Sequence, residues 1–204
     1  GHSGEVYLFD NITGNLLQTF HKPVPVDDDY FGSSITAIAG NVVIGVPGDD
    51  TGATDAGAAY LFDALTGNIL QTFLSPNPRS GSGFGGSVAA VGSNVLVGAV
   101  SDGAAYLFNT STGEHLKTFL DPTPGTSANF GWSIASVGNN VLISGYEKVN
   151  DAANTFGAVY LFDVATGNLL QTILNPVSHS MGRFGCSVAA VGENVLVGAY
   201  DYNN

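Results

Sequence analysis

One cysteine, one methionine, one tryptophan and five basic residues in 204 positions leave several kinds of protein out of consideration. With Cys186 alone no intrachain disulfide can form, so any fold rests on its core. Five Lys and Arg against seventeen Asp and Glu give a net charge of −12, which speaks against nucleic acid or an anionic membrane surface as partner. No apolar run approaches the roughly 20 residues of a membrane span, so membrane insertion is not expected, and no signal peptide is legible. The four histidines, His2, His21, His115 and His179, stand at no metal-ligand spacing. Nucleophile elbow, phosphate loop and paired-carboxylate motif are all missing, so no catalytic residue is expected. Nor does any apolar segment reach the roughly 10 to 12 residues that make a helix competitive.

What the sequence has is one unit written four times. Tyr-Leu-Phe-Asp/Asn begins at Tyr7, Tyr60, Tyr106 and Tyr160, and Phe-Gly follows 24 residues later at Phe31, Phe84, Phe130 and Phe184. After 14 more residues, at Gly45, Gly98, Ser144 and Gly198, each unit ends a Val/Ile/Leu-rich run. The stretch from there to the next tyrosine varies, taking 15, 8 and 16 residues. Repeats of this size cannot bury their own apolar faces and must stack on neighbours. The 44% apolar content, set in short regular runs, argues against disorder despite 28 glycines.

Four strands fall in each unit. In the second they are Ser87 to Val91 (A), Val95 to Ala99 (B), Ala58 to Phe62 (C) and Ile69 to Phe73 (D). The B runs, such as Val42-Val43-Ile44 and Val195-Leu196-Val197, are apolar without alternation, which in an antiparallel meander means that both faces are covered. C passes to D through Asp-x-x-Thr-Gly-Asn at Asp10, Asp63 and Asp163. There glycine supplies a positive φ and the carboxylate accepts backbone N–H bonds, so these aspartates read as turn formers. D passes to the next A by a loop whose proline (Pro23, Pro76, Pro122, Pro176) stands eight residues before the phenylalanine, suggesting a rigid corner.

The series Phe-Gly-x-Ser-Val/Ile, Val-Leu-Val-Gly-Ala and Gly-Ala-x-Tyr-Leu-Phe-Asp, clearest from Phe84 to Ala99, resembles the FG-GAP repeat of integrin-type β-propellers. The resemblance implies an all-β fold of β-propeller type, in which the four units of four strands each make four blades of four antiparallel strands. It also implies placement outside the cell or on its surface. The calcium loop of the integrin version has no counterpart here, because only a Gly-x-Asn turn stands in its place. Tyr-Leu-Phe-Asp-x-x-Thr-Gly-x-x-Leu is also similar to blades of quinoprotein-type propellers. Those carry tryptophan where this chain has Gln18, Gln71, Lys117 and Gln171, and nothing recommends a quinone cofactor.

The order of strands bears on closure. The chain starts at a C strand and ends at a B strand, so a two-plus-two clasp of N- and C-terminal strands would close the ring and leave few edges. Residues 1–204 then form one domain, with blades at 31–73, 84–119, 130–173 and 184–204 completed by 1–20. A monomer is favoured over a dimer; a fragment of a longer array or a two-chain, eight-bladed ring is the competing arrangement.

Alternating strands put the B–C and D–A connections on one face, together with eleven of the seventeen acids and the loops of variable length. Loops of varied length on a rigid scaffold are where binding usually resides. Asp49, Asp50 and Asp55 offer carboxylates on flexible turns to a calcium ion, the one cofactor entertained. Trp132, Tyr146 and Tyr200 offer rings beside carboxylates, which suits a sugar whose C–H faces stack and whose hydroxyls bond to acids. The expectation is a noncatalytic extracellular or cell-surface module for protein or glycan partners. The alternatives are a structural building block of a larger surface assembly and, less favoured, a glycan-active enzyme.

Overall fold

The computed structural model describes residues 4–123, 129–150, 155–177 and 183–200, with the side chains of 146–150 and 155–156 outside that description. Sixteen strands alternate with tight turns among these residues. β1 (Val6–Phe9) and β2 (Leu16–Phe20) form a two-stranded sheet. β3 (Ser34–Ile38), β4 (Asn41–Val46), β5 (Ala58–Asp63) and β6 (Ile69–Leu74) form the first four-stranded sheet. β7 (Phe84–Val91), β8 (Asn94–Ala99), β9 (Ala104–Asn109) and β10 (His115–Leu120) form the second. β11 (Phe130–Val137), β12 (Asn140–Asn150), β13 (Thr155–Asp163) and β14 (Leu169–Leu174) form the third. β15 (Ser187–Val191) and β16 (Asn194–Gly198) pair as a further two-stranded sheet.

The fold is therefore all-β, with three complete blade-type meanders and two half-blades. The half-blades are the C–D and A–B pieces from which a terminal clasp is built. Each full sheet runs A, B, C, D, so the B and C strands occupy its middle. This explains the B strands without alternation: Val43, Ile44, Leu96, Leu142 and Ile143 are fully buried, as central strands covered on both faces must be.

Residues 1–97 with 107–116 form one compact unit, and residues 98–106 with 117–204 form another. In the first unit Val6 and Phe20 of the half-blade pack with Phe31 of the loop before β3 and with Ile44, Val46, Tyr60 and Phe62 of the first sheet. In the second, Phe184, Val188, Val195 and Val197 pack with Val137, Leu142 and Val159 of the third sheet.

Aromatic rings repeat with the strands. Phe62 meets Phe20 at 5.4 Å and Phe31 at 6.0 Å, the latter at 87°. Phe108 meets Phe73 at 5.4 Å and Phe84 at 5.8 Å, again at 87°. Phe162 meets Phe119 at 5.4 Å and Phe130 at 6.2 Å, also at 87°. Each cluster joins the D-strand ring of one blade to the Phe-Gly and C-strand rings of the next, and edge-to-face contact is the geometry that ring quadrupoles favour.

The C–D turns take the form read from the sequence. Asp10 Oδ1 accepts from the N–H groups of Ile12 and Thr13 and from the Thr13 hydroxyl, and Asp63 does the same with Leu65 and Thr66. Asp163 accepts from both groups of Thr166. These bonds hold the three carboxyls below the ordinary aspartate value; the threonine N–H leads for Asp10 and Asp63, and the threonine hydroxyl leads for Asp163. A side chain from the preceding blade lies over three of the turn glycines. A β-carbon on Gly67 would overlap Gln18, one on Gly113 would overlap Gln71, and one on Gly167 would stand 3.0 Å from Lys117 Cδ. Gln18, Gln71 and Lys117 thus clip blade to blade.

Candidate functional site

The loops after β2 and β4 meet in the first unit. β4 runs out through Pro47-Gly48-Asp49-Asp50, and the loop after β2 brings Lys22, Asp28, Asp29 and Tyr30 against it. The approach is close enough that a β-carbon at Gly48 would overlap the Asp28 carbonyl oxygen, and the Gly48 N–H donates to the Asp29 carbonyl at 3.1 Å.

Below this contact lies a buried polar cluster. Lys22 Nζ stands 2.8 Å from Asp29 Oδ2 and 2.9 Å from Asp49 Oδ2, with all three residues buried. The Tyr60 hydroxyl donates to Asp49 Oδ2 at 2.7 Å, and the Thr51 N–H donates to Asp49 Oδ1 at 2.7 Å. The Val26 N–H donates to Asp29 Oδ2 at 2.8 Å, whereas Asp29 Oδ1 is buried with no hydrogen-bond partner among the described residues. Burial alone would lower Lys22 and raise Asp49. Hydrogen bonds to Asp29 and Asp49 outweigh it for the lysine, which sits above its ordinary value. Bonds from Thr51, Lys22 and Tyr60 outweigh it for Asp49, which sits below. Burial and then the bond to Asp49 push the Tyr60 hydroxyl far up. Asp49 is thus an ionised anchor with both oxygens engaged.

A cleft of about 440 Å³ opens to solvent, lined by Asp28, Tyr30, Pro47, Gly48, Asp55, Gly81 and Gly83. Asp28, Tyr30 and Asp55 have φ of 66°, 58° and 51°, the left-handed region that side-chain-bearing residues rarely adopt. The loop carrying Asp55 is held by the bond from Asp55 N–H to Asp50 Oδ1 at 2.9 Å and by Gly81 N–H to the Thr54 carbonyl at 3.0 Å. The wall is two exposed carboxylates, one exposed phenol ring and backbone, which suits a polyhydroxylated or cationic group.

The three aspartates proposed for calcium are placed differently from one another. Asp49 turns inward to Lys22 and Tyr60, Asp50 receives the Asp55 N–H, and Asp55 faces the cleft. Among the described residues no group of three or more His, Cys, Asp or Glu stands where it would hold a metal ion. Of the aromatics, Trp132 is half exposed on β11. Tyr200 is exposed, accepts a bond from Arg183 Nη1 at 2.9 Å and lies under that guanidinium at 5.6 Å. The side chain of Tyr146 lies outside the described residues.

Sequence reasoning missed Lys22 and Tyr30. A signal for Lys22 existed: it precedes the corner proline where the other units carry Ser75, Asp121 and Asn175. Those three accept the N–H two residues on, from Asn77, Thr123 and Val177, so the lysine is the one departure from a turn-forming residue.

Blade-type antiparallel meanders repeated along the chain, with a cleft built from the loops between them, make this a β-propeller-like repeat domain. Residues 25–62 match the FG-GAP repeat family. It runs through Asp28, Asp29, Tyr30, Asp49, Asp55 and Tyr60, so all of the buried cluster but Lys22 lies inside the matched stretch. No curated protein matches the chain.

Proposed function

We propose that this is a noncatalytic binding domain, placed outside the cell or on its surface, whose loop cleft takes a protein or glycan partner. The observation that carries the reading is the cleft itself: three residues in left-handed conformation, Asp28, Tyr30 and Asp55, around one opening. Each such residue costs of the order of 1 kcal/mol or more, and strain of this kind collects at ligand sites. The two carboxylates accept hydroxyl or ammonium donors and the Tyr30 ring offers a stacking face. The neighbouring acid Asp49 is committed to Lys22, Tyr60 and Thr51, which favours support of the cleft-lining loops over proton transfer. Among the described residues no helix is long and apolar enough to cross a membrane.

Binding to an array of immobilised glycans and to extracellular matrix proteins tests the reading. Asp28→Asn, Tyr30→Ala and Asp55→Asn are each expected to lower binding at least tenfold with an unchanged far-ultraviolet spectrum, and Trp132→Ala to leave it intact. Binding that survives all three cleft substitutions but is lost with Trp132 would move the site to the exposed ring on β11.

A second reading, a building block of a larger assembly, is favoured by a separate observation: Tyr7, Phe9, Leu16 and Leu17 of the first half-blade and Leu196 of the last are exposed apolar residues.

A further inference from the structure

Two loops of the first unit make the same connection with opposite chemistry. Eleven positions lead from Phe20 to Phe31 after β2, and eleven from Phe73 to Phe84 after β6, with prolines at matching places. Residues 23–28 are all exposed between buried Lys22 and Asp29, as residues 76–81 are between buried Ser75 and Ser82. Position by position, Val24 stands against Asn77, Val26 against Arg79, Asp28 against Gly81 and Tyr30 against Gly83. Because the second loop turns the same corner with polar and small residues, the repeat does not require the aliphatic, acidic and aromatic side chains of the first. Even so, Val24 is 69% exposed, Tyr30 62% and Val26 44%, within seven positions. Apolar surface gathered in one place in this way marks a contact site.

The loop is also held in shape from within. Asp29 Oδ2 accepts from Lys22 Nζ at 2.8 Å and from the Val26 N–H at 2.8 Å, so the residue that closes the loop holds both its opening and its middle. Lys22 Nζ lies 2.9 Å from Asp49 Oδ2 and the Gly48 N–H donates to the Asp29 carbonyl at 3.1 Å, which ties the loop to the one after β4. Pro23 and Pro25 fix φ at two further positions. A loop already ordered loses little conformational freedom when it binds. Asp28 and Tyr30 line the cleft, so the exposed valines and the cleft wall belong to one preformed segment.

We propose that residues 23–30 form a docking ridge for a protein whose contact surface sets an aliphatic patch beside lysine or arginine side chains. The side chains of Val24 and Val26 offer a sugar neither a hydrogen bond nor a ring face, whereas they fill an apolar pocket on a protein. Charge decides the rest of the partner. Asp27 and Asp28 are exposed beside the valines, Asp55 lines the same cleft, and none of the residues lining it is basic. On a chain of net charge −12, a basic partner is drawn in and an acidic one repelled. This rests on the reading of the cleft as a binding site and commits that site to a protein.

The test titrates the whole chain into labelled peptides and reads fluorescence anisotropy. The probes alternate leucine with arginine, leucine with glutamate, and serine with arginine. The leucine–arginine peptide is expected to bind about tenfold or more tightly than the other two, since it alone answers both the valines and the carboxylates. Val24→Asn combined with Val26→Ser brings in polarity like that of the loop after β6, and is expected to weaken this binding about tenfold with an unchanged circular dichroism spectrum. Asp28→Asn, whose asparagine tolerates the left-handed conformation, is expected to weaken it and to flatten its dependence on salt. Failure of the leucine–arginine peptide to bind, equal affinity for the serine–arginine peptide, or a valine variant that binds like the unaltered chain overturns the ridge. Glycan binding that falls with Asp28→Asn or Asp55→Asn and ignores the valine variant also overturns it, while the cleft reading stands. If peptides, glycans and matrix proteins all fail to bind, both readings fall.

Discussion

The Tyr60 hydroxyl donates to Asp49 Oδ2 at 2.7 Å, and the ammonium of Lys22 reaches the same oxygen at 2.9 Å. A strand residue and a loop lysine thus share one buried carboxylate, and through it the loops after β2 and β4 are fixed to β5.

Lys22→Met breaks this arrangement by leaving two buried carboxylates without their cation. The expected loss is about 3–5 kcal/mol in urea unfolding. Lys117→Met is the control, since that lysine bonds the Ala165 carbonyl at 2.7 Å on the surface; its loss is expected to cost no more than about 1 kcal/mol. Equal losses would show that the Lys22 cluster is not buried in solution.

The pH dependence follows from the two displaced ionisations. Asp49 lies below its ordinary value, so its contribution is complete above the unfolded carboxyl range and is lost as pH falls through the folded value. Lys22 lies above its ordinary value, so its contribution is complete below the unfolded lysine range and is lost as pH rises through the folded value. The stability difference between the protein and its Asp49→Asn variant is therefore expected to be flat from about pH 5 to 9 and to shrink below about pH 4. A difference that grows on acidification would contradict the ion pair.

Phe62→Ala empties the centre of a ring cluster and is expected to cost about 3–5 kcal/mol. The equivalent Phe9→Ala removes an exposed ring. It is expected to change unfolding by less than about 1 kcal/mol. Equilibrium unfolding in urea checks both.

Gly48→Ala places a methyl where the Asp28 carbonyl stands. The two loops must move apart, at an expected cost of about 1–3 kcal/mol, and ligand binding at the cleft is expected to fall with it. Gly86→Ala, whose nearest atom is the Gly83 carbonyl oxygen at 3.2 Å, is the milder comparison in the same thermal unfolding measurement.

Strand existence and order were legible because they follow from short-range chemistry. The unbroken B runs marked sheet centres, and Asp10, Asp63 and Asp163 marked turns, since a carboxylate two or three residues from an N–H needs no tertiary partner. Lys22, Asp29 and Asp49 were not legible as a set. Lys22 and Asp49 are 27 residues apart, and each by itself resembles a solvated loop charge. Asp49 read as one third of a calcium loop; only the fold turns it inward, because Tyr60 and Lys22 face it there. Tyr30 gave no signal, since a single aromatic in a loop has no periodicity.

The sequence by itself determined an all-β chain of like units, the turn chemistry joining C to D, and which strands belong in the middle of a sheet, because periodicity and local hydrogen bonding are written in neighbouring residues. Tertiary structure alone decided that two loops share a buried lysine and that three left-handed residues surround one cleft. Those outcomes depend on long-range approach and on the loss of water around charges, and neither is encoded in any one stretch of chain.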